Sequence, residues 1–208
     1  MANQQSSDTA SAQLPAIKEK LRALIHYASV SRLQAHTACS DVRFGEMGPD
    51  FRPGRILANN MVFILVSGDA LRITFKVHFN LDAGRHLAYR VFGGDIPEHI
   101  TARQAIDYFK EYGNLVAGSI MALCEKVGIG LGMSLPLCTR GFYEVFSDYT
   151  ETESPTVTCN DFWCLQVNGQ SLCCSALIEI LDKKTLLPLL DLDLAEPESS
   201  DDEEMDFL

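Results

Sequence analysis

The chain has 208 residues, 47% hydrophobic and 22% charged, with a formal net charge of −11; this composition suits one good-sized folded domain with tails and excludes a fibrous or wholly disordered protein. Nine of the 28 acids fall between Asp191 and Leu208, a stretch without Lys or Arg, so the rest of the chain is close to neutral. With no basic run to displace counterions from phosphates, the sequence argues against nucleic-acid binding.

Residues 1–13 are Ser-, Gln- and Ala-rich and read as a disordered leader, with neither the basic start nor the apolar stretch of a secretion signal. No run approaches ~18 consecutive apolar residues, so a cytoplasmic protein away from membranes is expected. Leu14, Ile17, Leu21, Leu24, Ile25 and Ala28 recur at intervals of three and four, which predicts an amphipathic helix with Pro15 in its first turn. Turn residues over 45–50 lead to the apolar run Met61–Val66, a buried strand. Beyond a turn at Ser67-Gly68-Asp69, Leu71–Phe79 alternates apolar and polar residues, predicting a hairpin partner with one face in water.

Asn80 caps a predicted short helix that closes at Gly93-Gly94, and Thr101 caps a longer one ending near Val127 and Gly128. Three strand-like stretches follow at Gly132–Cys138, Gly141–Ser147 and Phe162–Val167, the last joined across Asn168-Gly169 to Ser171–Ile180; Asn-Gly is a strong hairpin signal. Helices interleaved with hairpins predict an α+β domain, an antiparallel or mixed sheet with helices packed on one face, over residues 14–190. Residues 191–208 are expected to form an acidic, disordered tail.

On the helix from Thr101, successive residues turn by about 100°, so Asp107, Glu111 and Asn114 share a stripe facing away from the apolar positions Ile106, Phe109, Gly113 and Val116. A solvated helix face collects polar residues of this kind without any function. Asp107 and Glu111 are nevertheless like charges four apart, a spacing that costs an isolated helix a few tenths of a kcal/mol.

The arrangement Asp107-x3-Glu111-x2-Asn114, continued as Leu115-Val116-Ala117-Gly118, resembles the catalytic helix of the CheC–FliY–CheX phosphatases: an acidic residue or Ser, then E-x-x-N, a hydrophobic residue, a small residue and Gly. Ser134-Leu135-Pro136 follows at about the distance where that family carries a Pro. The order of elements from Leu14 to Leu181 is similar to CheX, and the single E-x-x-N helix fits CheX better than the doubled CheC and FliY.

The resemblance implies a CheC/CheX-like fold and an enzyme that hydrolyses the aspartyl phosphate of a CheY-type response regulator. Asn114 would orient the attacking water, since an amide both donates and accepts hydrogen bonds without being a nucleophile. Glu111 would pair with the regulator's active-site lysine, Asp107 would support the interface, and Gly118 would leave room for the partner's loops. The chain would need no cofactor of its own; Mg²⁺ would sit in the regulator. A homodimer through the sheet edge is also implied. Two other readings are a CheX-like module that grips a receiver domain without hydrolysis, and a flagellar-switch-type interaction domain.

The remaining sequence signals are weaker. The five histidines are scattered without metal-ligand spacing, Ser134 and Ser175 lack a nucleophile elbow, and Gly128–Gly132 reads as a turn. The seven cysteines, an odd number without a C-x-x-C pair, read as buried, reduced thiols. Glu203–Leu208 is similar to the acidic-apolar peptides by which switch proteins and CheZ hold CheY, which makes Met205, Phe207 and Leu208 candidate anchors for the regulator.

Overall fold

The computed structural model describes residues 12–46, 58–93, 96–140 and 156–194. The first helix, α1 (Leu14–Thr37), runs nine residues beyond Ala28 and ends where Ala38 adopts a left-handed conformation, its N–H and that of Cys39 bonding back to the last carbonyls. Its buried stripe, Ile17, Leu21, Leu24, Ile25, Ala28 and Leu33, has the spacing expected of a helix that covers a sheet.

The sheet contains β1 (Arg43–Glu46), β2 (Asn60–Ser67), β3 (Leu71–Phe79), β4 (Gly132–Met133), β5 (Leu137–Arg140), β6 (Val157–Val167) and β7 (Gln170–Ile180). Its order is β1-β6-β7-β3-β2-β4, with β5 also on β2, and every pairing is antiparallel. The β6–β7 hairpin turns on Asn168 (φ 51°) and Gly169 (φ 75°), the positive-φ pair that a two-residue turn with the native strand twist requires.

The helices α1, α2 (Leu81–Val91) and α3 (Ala102–Glu125) share the core with the inward residues of the sheet. Trp163, Phe75 and Tyr112 meet at its centre, with Phe75 6.0 Å from the Trp163 ring and 6.2 Å from that of Tyr112. The chain thus has the α+β architecture anticipated. The expected strand at Gly141–Ser147 lies outside the described residues, as do leader residues 1–11 and most of the acidic tail.

Three local readings need correction. Alternation in β3 suggested a wet face, yet Lys76 and His78 are only 4% and 7% exposed; polarity marks which face a residue takes, not whether that face meets water. The stretch Gly132–Cys138 is not one strand but two, split at Ser134-Leu135-Pro136. Leu192 is buried and Leu194 packs on the core, so the folded body runs past residue 190 despite the acids on either side of these leucines.

The cysteines differ too. Cys124 and Cys174 are buried, but Cys39, Cys138, Cys159, Cys164 and Cys173 are all partly accessible.

Candidate functional site

Helix α3 begins with a full capping box. The Thr101 hydroxyl accepts from the Gln104 amide at 3.2 Å, and the Gln104 side chain accepts from the Thr101 N–H at 3.0 Å, so two otherwise orphaned donors are satisfied. From this fixed start the helix buries Ala105, Tyr108, Phe109, Tyr112, Val116, Ala117, Ile120, Leu123 and Cys124. The centre of the buried stripe is rotated from the apolar set read from sequence: Tyr108 and Tyr112 lie inside, while Ile106 is only partly buried.

Two tyrosines immediately precede Phe109 and Gly113, and their rings hold the opposite face of the helix outward. The Tyr112 hydroxyl donates to the Ser29 carbonyl at 2.8 Å in the interior, and the Trp163 indole N–H donates to the Ser29 hydroxyl at 3.1 Å. One turn of α1 is therefore joined both to α3 and to β6.

On the outward face Asp107 and Glu111 are exposed, and Asn114 and Gly118 are half-buried. Asn114 Nδ2 donates to Glu111 Oε2 at 3.3 Å, so these two predicted site residues touch. Asp107 does not join them by any described hydrogen bond; Arg103, one turn earlier, lies 3.6 Å from its carboxylate. A Cβ at Gly118 would meet nothing within 4 Å, whereas one at Gly113 would stand 3.6 Å from Val62 on β2, an ordinary packing distance. Met205, Phe207 and Leu208 lie outside the described residues.

His36, passed over in the sequence as a scattered histidine, lies beside this stripe. Its ring stacks on Tyr108 at 4.4 Å and its Nε2 lies 3.3 Å from the Tyr108 carbonyl. Burial lowers its pKa from the usual 6.5, partly opposed by the Tyr108 carbonyl and the Glu111 charge. The relationship spans 72 residues, and no local motif encodes it. On the other side, the Lys110 charge acts on Cys138 of β5, pulling against the burial that raises that thiol's pKa.

The sheet edge near α3 has an unusual form. Ser134 N donates to Leu65 O at 2.8 Å, and Ser134 Oγ accepts from Leu65 N at 3.1 Å. A side-chain hydroxyl thus completes the ladder across the break between β4 and β5, where Pro136 has no N–H to give. Around it Met133, Leu135 and Leu137 are 49%, 83% and 55% exposed.

The stripe is a surface rather than a cavity. A cleft of about 420 Å³ at the β6–β7 turn, lined by residues that include Cys39, Asp41, Arg43 and Asn168, contains none of Asp107, Glu111 or Asn114. Among the described residues no cluster of three or more His, Cys, Asp or Glu could hold a metal ion, and no helix is long and apolar enough to cross a membrane. A carboxylate and an amide on an open helix face suit a group presented by another macromolecule better than a small molecule held by itself.

No family model matches the sequence, and no curated protein matches it. The fold, however, is shared with solved structures. A CheC-like superfamily protein from Shewanella sp. PV-4 superposes with a TM-score of 0.61 at 13% identity, covering 76% of this chain and 97% of that one. CheX from Borrelia burgdorferi, in a structure described as a CheX–CheY–BeF3–Mg²⁺ complex, gives 0.56 at 12% identity, covering 75% and 96%. CheX from Vibrio vulnificus gives 0.55 at 11% identity, covering 76% and 95%. The chain therefore has a CheC/CheX-like fold.

Proposed function

We propose that this chain, on a fold it shares with CheX, hydrolyses the aspartyl phosphate of a CheY-type response regulator. The observation that most supports the reading is the contact between Glu111 and Asn114 on the outward stripe of α3, joined to the E-x-x-N motif. An acyl phosphate needs a water held in line with its leaving carboxylate more than it needs a covalent catalyst. With Asn114 Nδ2 engaged by Glu111, the amide oxygen is left to accept a proton of that water. Water would attack phosphorus, the bond to the aspartyl oxygen would break, and inorganic phosphate would leave. Glu111 would shift its contact to the regulator's active-site lysine on docking. The Mg²⁺ in this scheme belongs to the regulator.

The acidic C-terminal peptide would act before the chemistry. Met205, Phe207 and Leu208 would anchor the regulator and raise its effective concentration at Glu111 and Asn114. Deleting residues 196–208 should raise KM and leave kcat largely intact; an unchanged KM would remove the tether from the scheme. A homodimer through the β4–β5 edge belongs to the same proposal and is checked by sedimentation velocity.

The deciding experiment follows the decay of a CheY-type receiver labelled on its aspartate with [³²P]phosphate. The protein should accelerate decay, and Asn114→Ala and Glu111→Ala should each abolish the acceleration while preserving circular dichroism. Acceleration that survives Asn114→Ala would overturn the assignment. The exposed apolar edge at Met133, Leu135 and Leu137 favours a second reading, a module that grips the regulator without hydrolysis. Equal binding by the parent and Asn114→Ala, with no dephosphorylation by either, would select it.

A further inference from the structure

On the sheet face turned away from Trp163 and Leu165, Cys164 of β6 lies directly opposite Cys173 of β7, with the two sulfurs 3.3 Å apart. The Asn168-Gly169 turn sets this register. Val167 and Gln170 close the turn as a hydrogen-bonded pair, and bonded and non-bonded pairs then alternate, so Cys164 and Cys173 occupy a non-hydrogen-bonded position. Such positions bring Cα atoms to about 4.5 Å, within the ~4.4–6.8 Å that disulfides span.

We propose that Cys164 and Cys173 form a reversible disulfide, a redox modification site at the middle of the β6–β7 hairpin that responds to hydroperoxides. Both thiols are partly accessible. Opposite Cys164 on β1 stands Gly45, and even a Cβ there would meet nothing within 4 Å, so no side chain of that residue covers the sulfur. Cys174, the next residue, points to the other face and is fully buried, which leaves Cys173 as the sulfur in reach.

The pair also divides its labour. The Cys173 thiol, hydrogen-bonded to Cys164, brings the Cys164 pKa down to about 7 against the effect of burial, while the same bond and burial hold Cys173 well above the ordinary range. Either sulfur can donate across this contact; with Cys164 taken as the attacking thiolate, Cys173 is the resolving thiol. The Cys164 sulfur attacks the terminal oxygen of hydrogen peroxide, breaking the O–O bond and leaving a sulfenic acid and hydroxide, which takes up a proton to become water. The Cys173 sulfur then attacks the Cys164 sulfur; the S–S bond forms, the S–O bond breaks, and a second water leaves with the Cys173 proton. Two thiols are oxidised, one peroxide is reduced, and a dithiol such as reduced thioredoxin reverses the product.

The test uses the full chain, reduced, desalted, exposed to hydrogen peroxide, alkylated in denaturant at acid pH, and digested without reduction for mass spectrometry. The expected result is one cross-linked peptide pair, Cys164 with Cys173, two hydrogens lighter than its reduced parts, with Cys39 still alkylated and the link removed by reduced thioredoxin. Cys173→Ser should instead leave Cys164 as a sulfenic acid that dimedone labels, and Cys164→Ser should leave Cys173 alkylated. Oxidising the chain in denaturant should scatter links among the cysteines. The proposal is overturned if both thiols alkylate after peroxide as fully as before, or if the folded and denatured chains give the same map. Should either variant lose its native circular dichroism, the comparison of folded with denatured parent decides alone.

Discussion

Tyr112 donates its hydroxyl to the Ser29 carbonyl at 2.8 Å in the core, between two residues of the outward stripe in sequence and on the opposite side of the helix from them. The bond fixes the rotation of α3 about its own axis, and with it the direction in which Glu111 and Asn114 point. Tyr112→Phe leaves a buried carbonyl short of a donor and should cost about 1 kcal/mol, which for a chain of this size lowers Tm by roughly 2–4 °C. Thermal unfolding followed by circular dichroism measures this directly.

Asn114→Asp is a sharper probe of the site than truncation. It keeps the shape but replaces the donor facing Glu111 with a second carboxylate, so the contact at 3.3 Å becomes repulsive. Loss of positioning on this scale costs on the order of 10²-fold in rate, so regulator dephosphorylation should fall by about that factor while the unfolding transition hardly moves. Single-turnover decay of the labelled receiver reads the rate.

His36 makes stability depend on pH near the site. Its folded pKa lies below 6.5, so between the two values the unfolded chain binds more protons than the folded one. The stability it contributes is complete above 6.5 and is lost as pH falls through the folded value. Urea unfolding at closely spaced pH values should show this decline in the parent. His36→Gln, which cannot titrate, should flatten the curve in that window.

The pair His26 and Asp161 offers an independent check on how α1 is held. Their side chains meet at 2.7 Å with only 18% and 16% exposure, and the Asp161 pKa is lowered: burial opposes the shift, but the His26 hydrogen bond and charge prevail with help from Arg22. Asp161→Ala should destabilise the protein by about 1.5–3 kcal/mol, the range for hydrogen bonds to charged groups. Acidification should also destabilise the folded state, because the lowered Asp161 pKa contributes stability that is lost as pH falls below 3.8 through the folded value. Chemical denaturation of parent and variant at pH 7 gives the first number.

What could be read in the sequence were features with a local cause. The period of α1, the cap at Thr101, the Asn168-Gly169 turn and the shared stripe of Glu111 and Asn114 each depend on residues within a few positions of one another. The features that escaped depend on partners far along the chain. Asp161 lies before the strand expected at Phe162–Val167, yet it belongs to β6 and meets His26, 135 residues away. Tyr108 and Tyr112 are amphipathic residues whose side is chosen by Ser29, His36 and the sheet. Ser134 repairs the edge ladder by bonding Leu65, 69 residues earlier.

The strand order carries a consequence for how the chain is made. Strand β1 leaves the ribosome early, but its pairing partner is β6, with Arg43 opposite Gln166 and Glu46 opposite Trp163. Likewise, the Ser29 turn of α1 finds its indole donor only when Trp163 arrives, and α1 gains its last neighbours from the short 3-10 turn Leu187–Asp191. During synthesis the apolar face of α1 and the open side of β3 must wait for the C-terminal hairpin. The nascent domain is therefore exposed to aggregation until residues 157–191 have emerged, and its closure is set by topology rather than by the strength of any one contact.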